Sequence, residues 1–237
     1  MLIFPAIDLY EGKAVRLLRG DYAQMTVYSE HPEEIALAFA KAGATWIHLV
    51  DLEGAKSGET PNLETVKKIV SVSGLSAEVG GGIRRMETVK TYLEAGVSRV
   101  ILGTAAVTDE AFLKEALSTY GEKIAVGVDI KDGKVAIKGW TVASELEAIP
   151  FCEKLQKLGV RTIICTDISK DGAMMGTNHA LYQELSRRFD LQIIASGGVS
   201  SMEDVEKLAS LDLYGAIIGK AYYTGAIDLP GAIEVAK

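Results

Sequence analysis

The feature that most constrains this chain is a long-period repeat, in which landmarks of the first half return in the second at one fixed offset. Gly43 closes a helix-like run before Trp46-Ile47-His48-Leu49-Val50-Asp51, and 116 positions later Gly159 does the same before Thr162-Ile163-Ile164-Cys165-Thr166-Asp167. Gly81-Gly82 returns as Gly197-Gly198, and Ile101-Leu102-Gly103-Thr104-Ala105 as Ile217-Ile218-Gly219-Lys220-Ala221, at the same spacing. The opening strand drifts to an offset of 121, matching Ala6-Ile7-Asp8 with Gly127-Val128-Asp129. A unit this long is no solenoid repeat, so the pattern points to a duplicated half-domain. Doubled glycine loops then imply two equivalent binding sites and a ligand with two similar ends.

Short apolar runs rich in Val and Ile alternate with helical patterns from end to end. The runs are Leu2–Asp8, Trp46–Asp51, Ser76–Gly80, Arg99–Gly103, Lys123–Asp129, Thr162–Asp167, Leu191–Ser196 and Gly215–Gly219. They are continuous rather than alternating, as suits parallel strands covered on both faces. Met86, Val89 and Leu93 share a helix face, as do Leu63, Val66 and Val70, and Phe151, Leu155 and Leu158. Pro32 and Pro61 stand at first helical positions, Ser200 with Glu203 reads as a capping box, and Gly43, Gly96 and Gly159 stop helices. No linker divides residues 1–237, so one domain is expected. Eight β-then-α units give α/β class and a (β/α)₈ barrel, with an open doubly wound sheet as the rival. Two like four-strand halves close naturally into a ring, which favours the barrel.

A chain of 237 residues suits a single such barrel. A net charge of −7 leaves no basic surplus for a nucleic acid, although a few aimed amides and cations can hold small phosphorylated ligands. No run reaches the ~18 apolar residues of a membrane span, and no secretory signal is expected. Cys152 and Cys165 read as buried small hydrophobes in a reducing compartment. The expectation is a cytoplasmic monomer without membrane or nucleic-acid partners.

In a barrel of this kind the loops after the strand C-termini form the active face. Asp8, Asp51, Asp129 and Asp167 end strand candidates there, either as helix caps or as working carboxylates. Asp8 and Asp129 stand out as repeat equivalents on opposite sides of the ring, placed for general acid–base chemistry on a ligand between them. Gly80-Gly81-Gly82-Ile83-Arg84 with Gly103-Thr104, and Gly197-Gly198 with Gly219-Lys220, predict two phosphate sites on opposite sides. The long segments Glu11–Glu30 (with Arg16, Arg19 and Tyr22), Leu52–Thr60, Lys131–Ser144 and Ser169–Asn178 read as surface loops or lids. Trp140 has no core partner in its polar loop and is expected to stack on ligand. His48 reads as a packed barrel residue, and no His/Cys cluster suggests a metal.

Several motifs together resemble the histidine-biosynthesis isomerase family that acts on phosphoribosylformimino-5-aminoimidazole carboxamide ribotide. They are Pro5-Ala6-Ile7-Asp8-Leu9, Val15-Arg16-Leu17, His48-Leu49-Val50-Asp51-Leu52, Gly80-Gly81-Gly82-Ile83-Arg84, Lys138-Gly139-Trp140, Thr166-Asp167-Ile168-Ser169-Lys170-Asp171-Gly172, Ala195-Ser196-Gly197-Gly198-Val199 and Ile218-Gly219-Lys220-Ala221. The resemblance runs the whole length. It implies a cofactor-free Amadori rearrangement of a bisphosphorylated aminoaldose to an aminoketose (ProFAR to PRFAR). It makes Asp8 the base that takes the proton beside the Schiff-base carbon, and an opposing acid the donor to the furanose oxygen. The repeat nominates Asp129 for that acid, the family also offers Asp171 with Thr166 beside it, and both stay open.

Two positions depart from the family pattern. Ala173 stands where a threonine hydroxyl is common, and Lys138 stands where a bifunctional relative, acting also on phosphoribosylanthranilate, has Arg. Lysine lacks the planar fork for a carboxylate, which favours one substrate. The alternatives are that bifunctional isomerase, the cyclase subunit of imidazole glycerol phosphate synthase, and a non-catalytic phosphosugar-binding protein on the same fold. The last leaves Asp8 and Asp129 without a use.

Overall fold

A computed structural model of the chain describes residues 1–18, 20–137, 139–140 and 142–237. Its strands are β1 (Leu2–Tyr10), β2 (Lys13–Leu18), β3 (Asp21–Ser29), β4 (Trp46–Asp51), β5 (Ser76–Gly80), β6 (Arg99–Leu102), β7 (Ile124–Lys131), β8 (Lys134–Ile137), β9 (Val142–Glu147), β10 (Thr162–Asp167), β11 (Gln192–Ser196) and β12 (Gly215–Ile218). Eight of them, β1, β4, β5, β6, β7, β10, β11 and β12, pair in that order, all parallel. Leu2 to Pro5 of β1 then register against Gly215 to Ile218 of β12, which closes the ring. Closure eliminates the open doubly wound sheet, whose two edges would stay unpaired.

Packing follows from the apolar runs. One face of each parallel strand turns into the barrel, where Phe4, Ala6, Ile101, Ala125, Ile164, Ile194 and Ile217 fill the lumen. The other face meets the helices in a larger layer that includes Ile47, Leu49, Val66, Ile69, Val89 and Leu155. The helix Leu63–Ser73 buries Val66 and Ile69, and Met86–Glu94 buries Val89 and Tyr92, while Leu63, Val70, Met86 and Leu93 of the expected stripes pack partly buried against the same core. Gly43, Gly96 and Gly159 follow their helices with φ of 96°, 92° and 91°.

Four sequence readings need correction. The segments 11–30 and 131–144 are antiparallel β-hairpins rather than irregular loops, β2 pairing with β3 and β8 with β9. Each enters through a two-residue turn with both φ values positive, Glu11-Gly12 (49° and 73°) and Asp132-Gly133 (51° and 77°). This is the geometry whose twist matches the flanking strands. Pro61 lies in the turn ahead of the helix Leu63–Ser73, whose N-cap is Asn62. The capping box is Ser201 with Asp204, because Ser201 directly precedes the helix Met202–Ala209, while Ser200 and Glu203 lie one residue out of register. Apolar runs also overran their strands, as at Gly103 and Gly219, which are helix N-caps.

The hairpins extend the repeat. Asp8 opposes Val15 in the first, and Asp129 opposes Ala136 in the second, 121 positions on in both partners. Each half-barrel is therefore four βα units with a β-ribbon rising from its first strand.

Candidate active site

At the C-terminal ends of the parallel strands the lumen opens into a cavity of about 930 Å³. Gly80, Gly103, Gly127 and Gly219 line it, leaving space between the side chains at the mouth. Most residues nominated from the sequence line this one space: Asp8, Asp129, Asp171, Arg16, Gly81, Gly82, Arg84, Gly103, Thr104, Trp140, Thr166, Gly197, Gly198, Gly219 and Lys220, whereas Asp51 and Asp167 do not.

The carboxyls differ in their surroundings. Arg16, delivered by β2, donates from Nη1 to Asp8 Oδ2 at 3.0 Å and from Nη2 to the Ala6 carbonyl at 2.9 Å. Tyr223 donates to the same carbonyl at 2.9 Å, and its ring lies 5.6 Å from the Arg16 guanidinium. The first hairpin thus brings a cation against Asp8. Across the mouth, Asp129 accepts hydrogen bonds from the Trp140 indole and the Thr166 hydroxyl; burial still raises its carboxyl above the ordinary range. Asp171, on the loop after β10, is pushed up to about 6, chiefly by burial, with Asp8 and Asp129 adding to the rise and Arg16 and His48 opposing it. A carboxyl raised this far is able to donate a proton closer to neutrality than an ordinary one.

Asp51 and Asp167 do different work. Asp51 caps the helix Leu52–Ser57 through the Gly54 amide at 2.8 Å and also takes Asn62 Nδ2 at 2.8 Å and the Tyr92 hydroxyl at 3.1 Å. Asp167 takes the Ser169 amide at 3.0 Å and Asn178 Nδ2 at 2.6 Å. The two Asp–Asn pairs are 116 positions apart, and both organise loops beneath the cavity rim. The capping alternative holds for these two aspartates, and the carboxyls that face the cavity are Asp8, Asp129 and Asp171.

The paired glycines have a steric reason. A Cβ on Gly82, at φ 69°, would stand 1.8 Å from the Gly54 carbonyl oxygen, and one on Gly198, at φ 83°, 2.3 Å from that of Gly176. Only glycine allows the loops after β5 and β11 to tuck under the preceding ones. The short helices Thr104–Thr108 and Lys220–Tyr223 start beside them, each from a glycine N-cap with near-identical dihedrals. Helix starts leave amides without intrahelical partners, a natural seat for phosphate oxygens. Arg84 Nη2 donates to the Ala55 carbonyl at 3.1 Å, and Lys220 Nζ to the Gly172 carbonyl at 3.1 Å, beside Asp171.

Trp140 packs on Gly20, so that the tips of the two hairpins meet over the cavity; an added Cβ at Gly20 would lie 2.8 Å from its ring. Arg19 and Lys138 lie outside the described residues. Sequence reasoning missed Lys56, which lines the cavity with its ammonium 3.5 Å from the Tyr22 ring centroid. It also missed the partner of His48: Nδ1 of that ring lies 2.7 Å from Glu78 Oε1. The signal was present, since Glu78 is a charged residue inside an otherwise apolar run. Cys152 and Cys165 are buried thiols, both raised by burial. Among the described residues no His, Cys, Asp or Glu group could hold a metal, and no helix is long and apolar enough to cross a membrane.

Comparison with known proteins gives a family. Residues 2–228 match the family described as histidine biosynthesis protein. The chain is 50% identical over 234 residues to the 1-(5-phosphoribosyl)-5-((5-phosphoribosylamino)methylideneamino) imidazole-4-carboxamide isomerase of Oceanobacillus iheyensis, covering 99% of this chain and 98% of the relative. It is 53% identical over 231 residues to the protein of the same name from Lactococcus lactis subsp. cremoris, covering 97% and 94%. The relative from Clostridium beijerinckii is 49% identical over 237 residues, covering 100% and 99%.

Proposed function

The chain belongs to the histidine biosynthesis protein family, and from that premise we propose that it isomerises a bis-phosphoribosyl imidazole carboxamide, aminoaldose to aminoketose, with aspartates as the only acid–base groups. The observation that carries this reading is one cavity lined by Asp8, Asp129 and Asp171 together with both pairs of glycine loops.

The chemistry divides among the residues in order. Asp171, protonated below about 6, donates to the ribose ring oxygen as the bond from that oxygen to the anomeric carbon breaks. The nitrogen lone pair becomes the C=N bond of a protonated Schiff base. Asp8, oriented by Arg16, takes the proton from the adjacent carbon, whose electrons neutralise the iminium and leave an enaminol. Loss of the enol proton and return of one proton to the former Schiff-base carbon give the aminoketose, with no net gain or loss of atoms or electrons. Asp129, which accepts from Trp140 and Thr166, orients the substrate hydroxyls rather than donating the proton. Both phosphates are held away from the reacting carbons, so their binding energy positions the ribose between the carboxyls. One chain supplies every group, so a monomer suffices.

The deciding experiment is steady-state turnover of the purified protein on the aminoaldose ribotide, with phosphoribosylanthranilate in parallel. Turnover of the first alone is the expected result. Turnover of both would make the enzyme bifunctional, and turnover of neither would overturn the isomerase reading.

A further inference from the structure

Beneath the reacting carboxyls lies a charged cluster for which the steps above have no use. His48 from β4 shares a hydrogen bond through Nδ1 with Glu78 Oε1 of β5 at 2.7 Å. Arg99 from β6 grips Glu78 Oε2 through Nε at 3.0 Å and Nη2 at 2.6 Å. Its Nη1 reaches Thr162 at 3.3 Å, and Thr162 in turn donates to Gln192 at 2.8 Å. Glu78 is wholly buried and Arg99 nearly so, the guanidinium lying 4.6 Å from the Trp46 ring centroid and 5.5 Å from that of Tyr214.

The repeat shows what the barrel needs at these places. The positions 116 further on from His48, Glu78 and Arg99 are Ile164, Ile194 and Gly215. Ile164 and Ile194 are buried in the apolar lumen cluster. The fold therefore fills the same layer without charge in its other half. Buried ion pairs give no net advantage over well-packed apolar groups, so stability does not account for placing one in the first half. His48 is also the member of the cluster that lines the cavity.

We propose that His48 is a positioning residue for the isomerisation, clamped by Glu78 and Arg99 so that its Nε2 faces the cavity and governs how readily the Asp129 and Asp171 carboxyls hold their protons. This rests on the isomerase reading above. Glu78, fixed by the Arg99 guanidinium, is an acceptor and holds the Nδ1 proton, which sets the tautomer and ring orientation. The groups around the ring are Glu78 and Arg99 from β5 and β6, Asp129 from β7, and Asp171 from the loop after β10. The cavity also holds Asp8 and Arg16 from β1 and β2, with Lys56, Arg84 and Lys220 at its rim. Against the dominant effect of burial, His48 draws the carboxyls of both Asp129 and Asp171 downward.

The test is His48→Asn, which keeps an amide nitrogen near the place of Nδ1 for Glu78 and deletes Nε2. The expected result is a kcat lower by about 10- to 100-fold with KM changed by less than about threefold. The basic limb of the pH–rate profile should shift with it, because the Asp129 and Asp171 carboxyls lose the imidazole beside them. An unchanged kcat and profile, whatever the melting temperature, would overturn the proposal, and so would a rise in KM alone. A second readout needs no turnover and stands if the isomerase reading fails. ¹⁵N-histidine spectra of the full chain should show His48 as the Nδ1–H tautomer, with ring-nitrogen resonances that move in Asp129→Asn and in Asp171→Asn. An Nε2–H tautomer, or ring-nitrogen resonances indifferent to both aspartates, would remove the basis of the coupling.

Discussion

A carboxyl that donates a proton near neutrality has to resist ionisation, and Asp171, the donor proposed above, resists it at a cost to the fold. Its pKa is raised to about 6, first by burial, so the native state holds a proton that the unfolded chain gives up near pH 4. The sign follows: stability from this group is complete below about pH 4 and is lost as pH rises through about 6, a loss of roughly 2–3 kcal/mol. Asp171→Asn keeps the volume and removes the titration. We expect kcat to fall by about 10²- to 10⁴-fold while the melting temperature, compared with the parent above pH 6, rises. A variant that is inactive and also less stable at that pH would place Asp171 in the architecture. Asp8→Asn should behave differently. It abolishes turnover while inorganic phosphate still binds, because the Arg16 bond to the Ala6 carbonyl remains. Measurable turnover in a purified Asp8→Asn protein would end its role as base.

At the scale of elements, the hairpins are what sequence reasoning read least well, and the reason is physical. The barrel strands are buried on both faces and leave continuous apolar runs, so Trp46–Asp51 and Thr162–Asp167 were legible with their boundaries. The hairpin strand β3 packs on one neighbour only and is largely exposed, so Asp21–Ser29 carries no such run. Its entry turn was the available signal, as was Asp132-Gly133 in the second half, a dipeptide that favours a two-residue hairpin turn. The aspartates were ambiguous for a related reason. Asp8 and Asp51 look alike at strand ends, and only Asn62 and Tyr92 around Asp51, against Arg16 beside Asp8, separate a loop organiser from a carboxyl that faces the cavity. Asp171 lies inside a loop where no periodicity applies, and the sequence could nominate it only by resemblance. What the hairpins achieve together can be tested at Gly20, whose Cβ position lies 2.8 Å from the Trp140 ring. Gly20→Ala should push that ring and its indole N–H away from Asp129. The expected outcome is a kcat/KM lower by about tenfold with a melting temperature within a few degrees of the parent, since the strained residue costs only about 1 kcal/mol. An unchanged kcat/KM would mean that the contact between the hairpin tips is not used.

The whole molecule is a duplication whose two halves have kept one backbone and exchanged their cations. The loop after β5 ends its glycines with Arg84, whereas the equivalent position in the second half is Ser200. The helix start after β6 holds Thr104, whereas its equivalent after β12 is Lys220. Each end of the cavity therefore has one such charged side chain, delivered from a different loop, on a protein whose net charge of −7 otherwise disfavours anions. Two consequences can be separated by experiment. Inorganic phosphate, titrated calorimetrically or by resonance shifts, should occupy two sites, and Arg84→Ala and Lys220→Ala should each weaken one and spare the other. A ligand carrying both phosphates gains from effective concentration once its first end is seated, so each substitution should raise KM by about 10- to 100-fold. The effect on kcat should differ between the ends. Lys220 also holds the Gly172 carbonyl beside Asp171, so its loss should lower kcat as well as raise KM, whereas Arg84, bonded to the Ala55 carbonyl, should act on KM alone. Equal kinetic signatures for the two variants would mean that Lys220 serves its phosphate only. A single phosphate site in the parent protein would mean that the duplicated glycine loops are a relic of the fold and not a two-ended grip.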